Sequence, residues 1–164
     1  MSLSFPSAEA MGVRFRPTRD DDRQFLAELY ASIRWEEVSQ TGWPVEARLA
    51  FLAQQFELQC IHYAKHRPDA DRMVIEQDGA RIGRLDVDDI EDRLHVVDIG
   101  LAPASRGSGI GTAILEDLQR LARGSGRGVS IFVEKHNPAL SLYRRLGFVP
   151  IREEGAYDFM EWRP

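Results

Sequence analysis

Residues 98–115, DIGLAPASRGSGIGTAIL, join the end of a predicted strand to the start of a predicted helix. Glycines stand at three alternate positions, Gly107, Gly109 and Gly111, just before an apolar run with helical spacing. A loop with so few side chains lets the backbone approach a ligand closely. The free N–H groups and the dipole at a helix start favour an anion. A plain strand-to-helix connection, in which the glycines serve only tight turning, is the alternative.

Two familiar phosphate loops do not fit this spacing. A Walker loop that starts at Gly107 needs glycine and lysine at positions 112 and 113, where the chain has Thr112 and Ala113. The dinucleotide fingerprint needs its third glycine at position 112, so Gly111 comes one residue too early. The loop therefore predicts an anion site that neither nucleotide motif describes.

Gly100, just before this loop, lies inside the predicted strand. Glycine weakens a strand and often marks a bulge or the close approach of another chain or ligand. A strand that bulges at this point would separate from its neighbour and leave ladder groups for an extended ligand. A simple kink without a ligand is the other interpretation.

Composition and length indicate one ordinary globular domain. The chain has 164 residues, of which 43% are hydrophobic and 29% charged, a composition typical of folded proteins. We expect a single domain over residues 13–164, preceded by a flexible leader over residues 1–12, part of which could be a remnant of cloning. A net charge of -5 without a dense basic block argues against nucleic acid and anionic membrane surfaces as partners. No apolar run approaches the roughly 20 residues of a membrane span.

The cysteine content argues for a reducing compartment. Cys60 is the single cysteine, so no intrachain disulfide can form, and no Cys/His cluster has the spacing of a zinc site. We therefore expect a cytoplasmic protein without a metal.

Hydrophobic periodicity predicts the element order β-α-α-β-β-β-α-β-α-β-β. The predicted helices include residues 45–66 and 109–123, and the sequence Asp78–Gly79 favours a hairpin turn between two strands. This order predicts an α/β (α+β) fold with a mixed central sheet of about six to seven strands and about four helices.

Two stretches resemble conserved motifs of one enzyme family. Residues 98–115 resemble motif A of the GCN5-related N-acetyltransferases (GNAT), whose pattern Arg/Gln-x-x-Gly-x-Gly/Ala begins here at Arg106. Residues 133–149, VEKHNPALSLYRRLGFV, are similar to motif B and place Asn137 and Tyr143 in the expected arrangement. The resemblance covers residues 13–162 and also matches the element order.

This resemblance implies a coenzyme A site. The backbone of Ile99 and Leu101, on either side of Gly100, would pair with pantetheine. Asn137 would face the pantetheine arm, and Tyr143 would point at the thioester sulfur. The loop would hold the pyrophosphate through Arg106, Gly107, Ser108, Gly109, Ile110, Gly111 and Thr112. Helix capping by Asn137 and simple packing of Tyr143 beneath the sheet are the structural alternatives.

The implied activity is acetyl-CoA-dependent N-acetyl transfer to a primary amine, by direct attack in a ternary complex and without a metal. Tyr143 would donate a proton to the departing thiolate. Asp98 is the favoured general base, with Glu134, His95 or a water molecule as alternatives. A non-catalytic acyl-CoA-binding regulatory or scaffold module is the competing interpretation of the whole chain.

The acceptor is expected to be a small-molecule or peptide amine. In the family its pocket comes from the first two helices and the last hairpin, here residues 33–46, 56–65 and 154–159. Aromatic side chains in these ranges could line the pocket or belong to the core: Trp35, Trp43, Tyr63 and Tyr157. Glu36 and Glu37 would suit a cationic amine, although a solvated helix face explains them more simply. A homodimer is a further expectation, since such folds often dimerise.

Overall fold

The computed structural model describes residues 2–164 and centres on a seven-stranded mixed sheet. The strands are β1 Val13–Pro17, β2 Asp71–Gln77, β3 Ala80–Ile90, β4 Arg93–Leu101, β5 Gly128–Glu134, β6 Val149–Glu154 and β7 Tyr157–Trp162. Their order in the sheet is β1-β2-β3-β4-β5-β7-β6. Neighbouring strands are antiparallel except for β4 and β5, which are parallel. The predicted mixed sheet is confirmed.

Five α-helices accompany the sheet within residues 2–164. They are α1 Pro6–Glu9, α2 Arg23–Ser39, α3 Val45–His66, α4 Ile110–Gly124 and α5 Leu140–Arg145, with short 3-10 helices at Asp20–Asp22 and Pro103–Ser105. The α3 bounds agree with those predicted from the apolar period. Among residues 2–164, none of these helices is both long and apolar enough to cross a membrane.

The main core lies between α4 and one face of the sheet. Ile114 and Leu118 of α4 are fully buried against β4 and β5 residues such as Val96 and Ile131. This amphipathic stripe is the pattern that predicted the helix. Helices α2 and α3 pack on the opposite face of the sheet through buried side chains that include Leu29 and Phe56.

Residues 5–9 pack on α4, which differs from the flexible leader expected over residues 1–12, of which residue 1 lies outside the described residues. Phe5 is buried and its ring stacks on Phe15 with 4.3 Å between the ring centroids. The backbone N–H groups of Ser7 and Ala8 donate to the Asp117 carboxylate at 3.0 and 3.1 Å. One aromatic anchor and one distant carboxylate therefore order this segment, and neither produces a periodic local pattern.

Replacing Asp117 with alanine should lower the free energy of unfolding by about 1–3 kcal/mol, because it leaves buried N–H groups of α1 without an acceptor. Denaturant unfolding of the full chain measures this loss. The control is Arg120→Ala, which removes a half-exposed partner of the same carboxylate and should cost much less. Equal losses in both variants would contradict this account of α1.

Candidate functional site

Strands β4 and β5 separate partway along their length. They pair from Arg93–Gly128 to Val96–Ile131, although β4 continues to Leu101 and β5 to Glu134. On its other side, β4 changes register against β3: Val96 lies opposite Val87 and Asp98 opposite Asp86, which leaves Val97 as an extra residue. Such a bulge bends the strand and increases its twist. We call the resulting gap, between residues 97–101 and 132–134, the strand cleft.

Gly100 is not the bulge that its position in the sequence suggested. It pairs with Arg84 of β3 in the regular ladder beyond Val97. A Cβ atom at Gly100 would lie 2.7 Å from Cδ1 of Ile33 on α2, the end of an exposed side chain that would have to move aside. The bulge prediction was therefore wrong in position, and the glycine lies where α2 packs close to the strand.

The backbone groups of Ile99 and Leu101 face the strand cleft. The N–H of Ala102 donates to the carbonyl of Ile82 at 2.7 Å, so the backbone of residue 102 points toward β3. Backbone groups alternate between the two sides of a strand, which turns those of Ile99 and Leu101 toward β5. The side chains of both residues pack on the α4 core, so only the backbone can meet a ligand in the cleft.

The glycine loop presents its backbone at the start of α4. Gly107 and Gly109 have φ angles of 70° and 89°, a left-handed conformation that glycine adopts without steric cost. Ile110 buries its side chain in the core and thereby anchors the loop. Within residues 2–164, the N–H groups of residues 107–112 donate to no protein acceptor. Several N–H donors at a helix start form a site for an anion.

Gly111 has no structural reason to be glycine. Its φ angle is ordinary for a helix, and a Cβ atom built there would meet no atom within 4 Å. Bare backbone at an unstrained, open position leaves room for a ligand beside the N–H groups.

The loop's own polar side chains make local contacts. Arg106 donates from Nε to the Leu101 carbonyl at 2.9 Å and from a terminal nitrogen to Ser32 Oγ at 3.3 Å. Ser108 donates to the Ser105 carbonyl at 2.6 Å, and Thr112 is half-buried in the first turn of α4. These contacts shape the loop and leave its N–H groups as the donors available to an anion.

Asn137 and Tyr143 lie where β5 connects to α5. The Asn137 side chain is exposed and its Oδ1 accepts the N–H of Ala139 at 2.9 Å, so it caps the turn before α5. Tyr143 is only 5% exposed and its ring packs against Phe148. Burial, reinforced by the charge of Asp98, raises the pKa of Tyr143 to about 12. The hydroxyl therefore keeps its proton at neutral pH.

The three candidate bases occupy different environments. Asp98 follows the bulge at the start of the strand cleft, and its side chain is 19% exposed. Glu134 ends β5, where its carboxylate accepts the hydroxyl of Tyr157 at 3.4 Å. His95 is 3% exposed, with Nδ1 2.8 Å from Ser130 Oγ, and burial lowers its pKa to about 3. Such a ring lacks the basicity that proton abstraction at neutral pH requires.

Asp98 and Glu134 stand on the same face of the sheet, one on each wall of the strand cleft. Tyr157 of β7 and Arg34 of α2 lie near Glu134, whose negative charge contributes to raising the pKa of both groups. Glu37 is paired with Arg34 at 2.8 Å, which holds the pKa of its carboxyl below the usual range. Glu37 is therefore neutralised within α2, and the carboxylates on the strands remain the acidic groups of the cleft.

The predicted aromatic residues lie on α2, the loop between α2 and α3, α3 and β7. Trp35 packs under the Arg48 guanidinium, and Trp43 makes an edge contact with Phe51. Tyr63 of α3 reaches the sheet, where its hydroxyl donates to the Val97 carbonyl at 3.4 Å, directly at the bulge.

Sequence reasoning missed the ion pair behind Asp98. Arg84 and Asp86 of β3 are both buried, with 2.5 Å between a guanidinium nitrogen and a carboxylate oxygen. Burial raises the pKa of Asp86 to about 6, which the nearby charge of Arg84 opposes and that of Asp98 increases. The signal in the sequence was the alternation of Arg84, Asp86 and Asp88 with apolar residues, which also fits a solvated face.

Comparisons with known proteins agree with this geometry. A family model described as the acetyltransferase (GNAT) domain matches residues 68–150, just over half of the chain. That range includes β4, the glycine loop and α5. No curated protein matches the chain by sequence.

Solved structures resemble the whole chain at low identity. PaiA N-acetyltransferase from Thermoplasma acidophilum, in complex with coenzyme A, is 18% identical over 93% of this chain and 99% of its own, with a TM-score of 0.68. Naa50 from Arabidopsis thaliana, in complex with the bisubstrate analogue CoA-Ac-MVNAL, is 16% identical over 93% of this chain and 99% of its own, with a TM-score of 0.61. The ribosomal-protein-S18-alanine N-acetyltransferase from Escherichia coli is 15% identical over 91% of this chain and 90% of its own, with a TM-score of 0.58. These similarities establish the fold.

His95 should remain neutral between pH 8 and pH 5, because its burial lowers its pKa to about 3. The unfolded chain binds this proton near pH 6.5, so the contribution of His95 to stability is complete above that pH and is lost toward pH 3. NMR titration of the His95 ring, with the urea-unfolded chain as reference, measures the difference. A His95 ring that becomes charged near pH 6.5 in the folded protein would contradict its assignment to the core.

Proposed function

Because the chain belongs to the GNAT acetyltransferase family, we propose that it moves an acetyl group from acetyl-CoA to a primary amine by direct attack in a ternary complex. The observation that carries this proposal is the strand cleft beside a glycine loop whose N–H groups donate to no acceptor among the described residues 2–164. The strand cleft can receive an amide-bearing arm and the glycine loop can receive a diphosphate. Residues 101–107 join the cleft to the loop.

The chain's own groups fit coenzyme A as the donor. The N–H groups of residues 107–112 would hold the pyrophosphate, supported by the positive end of the α4 dipole. The backbone of Ile99 and Leu101 would pair with the pantetheine amides as a neighbouring strand does. The Leu101 carbonyl already accepts Arg106, so pairing at this carbonyl requires Arg106 to share or release it.

The chemistry requires a neutral amine and a protonated leaving group. Asp98 would take one proton from the acceptor ammonium, and the amine nitrogen would then form the bond to the acetyl carbon. The carbon–sulfur bond breaks, and the thiolate of coenzyme A takes a proton from Tyr143, which regains one from the nitrogen. Acid-base groups placed in this way contribute about 10²–10⁴-fold to a rate. Holding both reactants in line supplies much of the remaining acceleration.

A small-molecule or peptide amine is the acceptor that we propose. Asp98 and Glu134 flank the strand cleft on the face covered by α2 and α3, and two carboxylates there favour a cationic ligand. Support for a peptide comes from Naa50, whose structure holds a bisubstrate analogue that joins coenzyme A to MVNAL.

Gly111→Val should weaken coenzyme A binding about tenfold or more, because the new side chain covers the N–H groups of the loop. Calorimetry measures the affinity, and thermal unfolding should be nearly unchanged, since the position is unstrained and open. Gly124→Val is the matched control: it makes the same change at the other end of α4, where a Cβ atom also meets nothing within 4 Å. Unchanged affinity in Gly111→Val would exclude the loop as the pyrophosphate site.

Wild-type protein should release coenzyme A thiol from acetyl-CoA only when an amine acceptor is present. Tyr143→Phe should lower kcat about 10²-fold or more while the Kd for coenzyme A stays within twofold, because the ring remains and the donor is lost. Thiol release with a panel of amines and calorimetry give the two quantities. Coenzyme A binding without turnover for any amine would favour the non-catalytic module, and equal loss of both quantities in the variant would assign Tyr143 to packing.

A further inference from the structure

A buried arginine lies between two carboxylates at the start of the strand cleft. Arg84 is 2.5 Å from Asp86 and 3.6 Å from Asp98, measured between guanidinium nitrogens and carboxylate oxygens. Asp86 and Asp98 lie directly opposite each other on β3 and β4. The Asp86 side chain is fully buried, whereas Asp98 keeps partial exposure on the cleft side.

Stability of the fold gives no reason for this arrangement. Like charges directly opposite on neighbouring strands destabilise a sheet, and a buried ion pair is often replaced by apolar residues without loss. Within residues 2–164, Asp86 Oδ1 and Arg84 Nε are buried and make no hydrogen bond. These charges lower the stability of the fold, and Asp98 lies one residue beyond the bulge. Their position therefore indicates a role at the strand cleft.

We propose that Arg84, held by the Asp86 carboxylate, positions the Asp98 side chain at the cleft to accept a proton from the acceptor ammonium. This inference rests on the proposed function. In this step the N–H bond of the ammonium breaks and an O–H bond forms on Asp98. The electron pair left on nitrogen then attacks the acetyl carbon, and Asp98 later returns its proton to solvent. Arg84 and Asp86 are positioning residues and do not touch the substrate.

Other titratable groups also surround this set and must be considered in its pH dependence. They come from several elements: Arg72 of β2, Cys60 and Tyr63 of α3, and Tyr143 of α5, with Tyr157 of β7 beside Tyr63. Burial raises the pKa of Cys60, Tyr63, Tyr143 and Tyr157, so these groups keep their protons at neutral pH. Among the charged groups, Arg84 lies 3.6 Å from Asp98 and Asp86 lies directly opposite it on β3, whereas Glu134 stands across the cleft on β5.

Two variants test this arrangement: the first should lower the pH at which Asp98 loses its proton, and the second should restore it. Asp86→Asn preserves shape and removes a negative charge, so Asp98 should lose its proton at a lower pH than in wild type. Adding Arg84→Gln to that variant removes the positive charge, so the midpoint should return toward the wild-type value. The double variant removes both charges of the Arg84–Asp86 pair. It therefore leaves no unpaired buried charge of this pair to destabilise the fold. Carboxyl-carbon NMR of Asp98 in the full chain measures each midpoint.

Asp22→Asn is the matched control. Asp22 is also fully buried and paired with an arginine, Arg16 at 2.8 Å, but it lies beside β1 at the edge of the sheet. This change should lower stability and leave the Asp98 midpoint where it was.

The NMR midpoints show whether Arg84 and Asp86 act on Asp98, and they require no turnover. The pH dependence of kcat/KM shows whether this action affects the reaction. An unmoved midpoint in natively folded Asp86→Asn would overturn the proposal. A moved midpoint with an unmoved acid limb of kcat/KM would overturn the assignment of Asp98 as proton acceptor. If the NMR midpoint of Asp98 and the acid limb of kcat/KM both move in Asp86→Asn, the result supports the proposal. A wild-type protein that transfers acetyl to no amine would overturn the proposed function, while the midpoints still decide whether Arg84 and Asp86 control Asp98.

Discussion

The extra residue at Val97 is the constraint on which the rest of the site depends. It ends the parallel pairing of β4 and β5 at Val96 and Ile131 while both strands continue. The sheet thereby offers unpaired backbone from its middle, where strands are normally paired on both sides. Tyr63 of α3 reaches the bulge, and Gly100 admits Ile33 of α2, so the helices support the strand where it bends.

The glycine loop extends the same use of backbone. Ile110 turns its side chain into the core, while Arg106 and Ser108 make contacts inside the loop. The groups left facing outward are N–H donors at the positive end of α4, next to the strand cleft. Backbone would thus bind the donor substrate, and side chains, chiefly Asp98 and Tyr143, would carry out the proton transfers.

Local patterns predicted much of this architecture. The glycine loop before α4, the helical apolar period over the 22 residues of α3 and the Asp-Gly turn each depend on neighbours in the chain, and all three match the structure. What the sequence could not predict depends on distant partners. The bulge lies at Val97 because of the register between β3 and β4, and the packing of Phe5 depends on Phe15 and α4. The Arg84–Asp86 pair was missed because alternating charge has the same pattern on a solvated face as on a face covered by helices.

We propose that the strand cleft and the glycine loop together form one coenzyme A site. Backbone amide NMR during titration of the full chain with coenzyme A tests it most directly. We predict that the amide signals of Ile99, Leu101 and residues 107–112 shift together with a single affinity. Binding that leaves the signals of Ile99 and Leu101 unmoved, or shifts at a surface away from the cleft, would contradict the account.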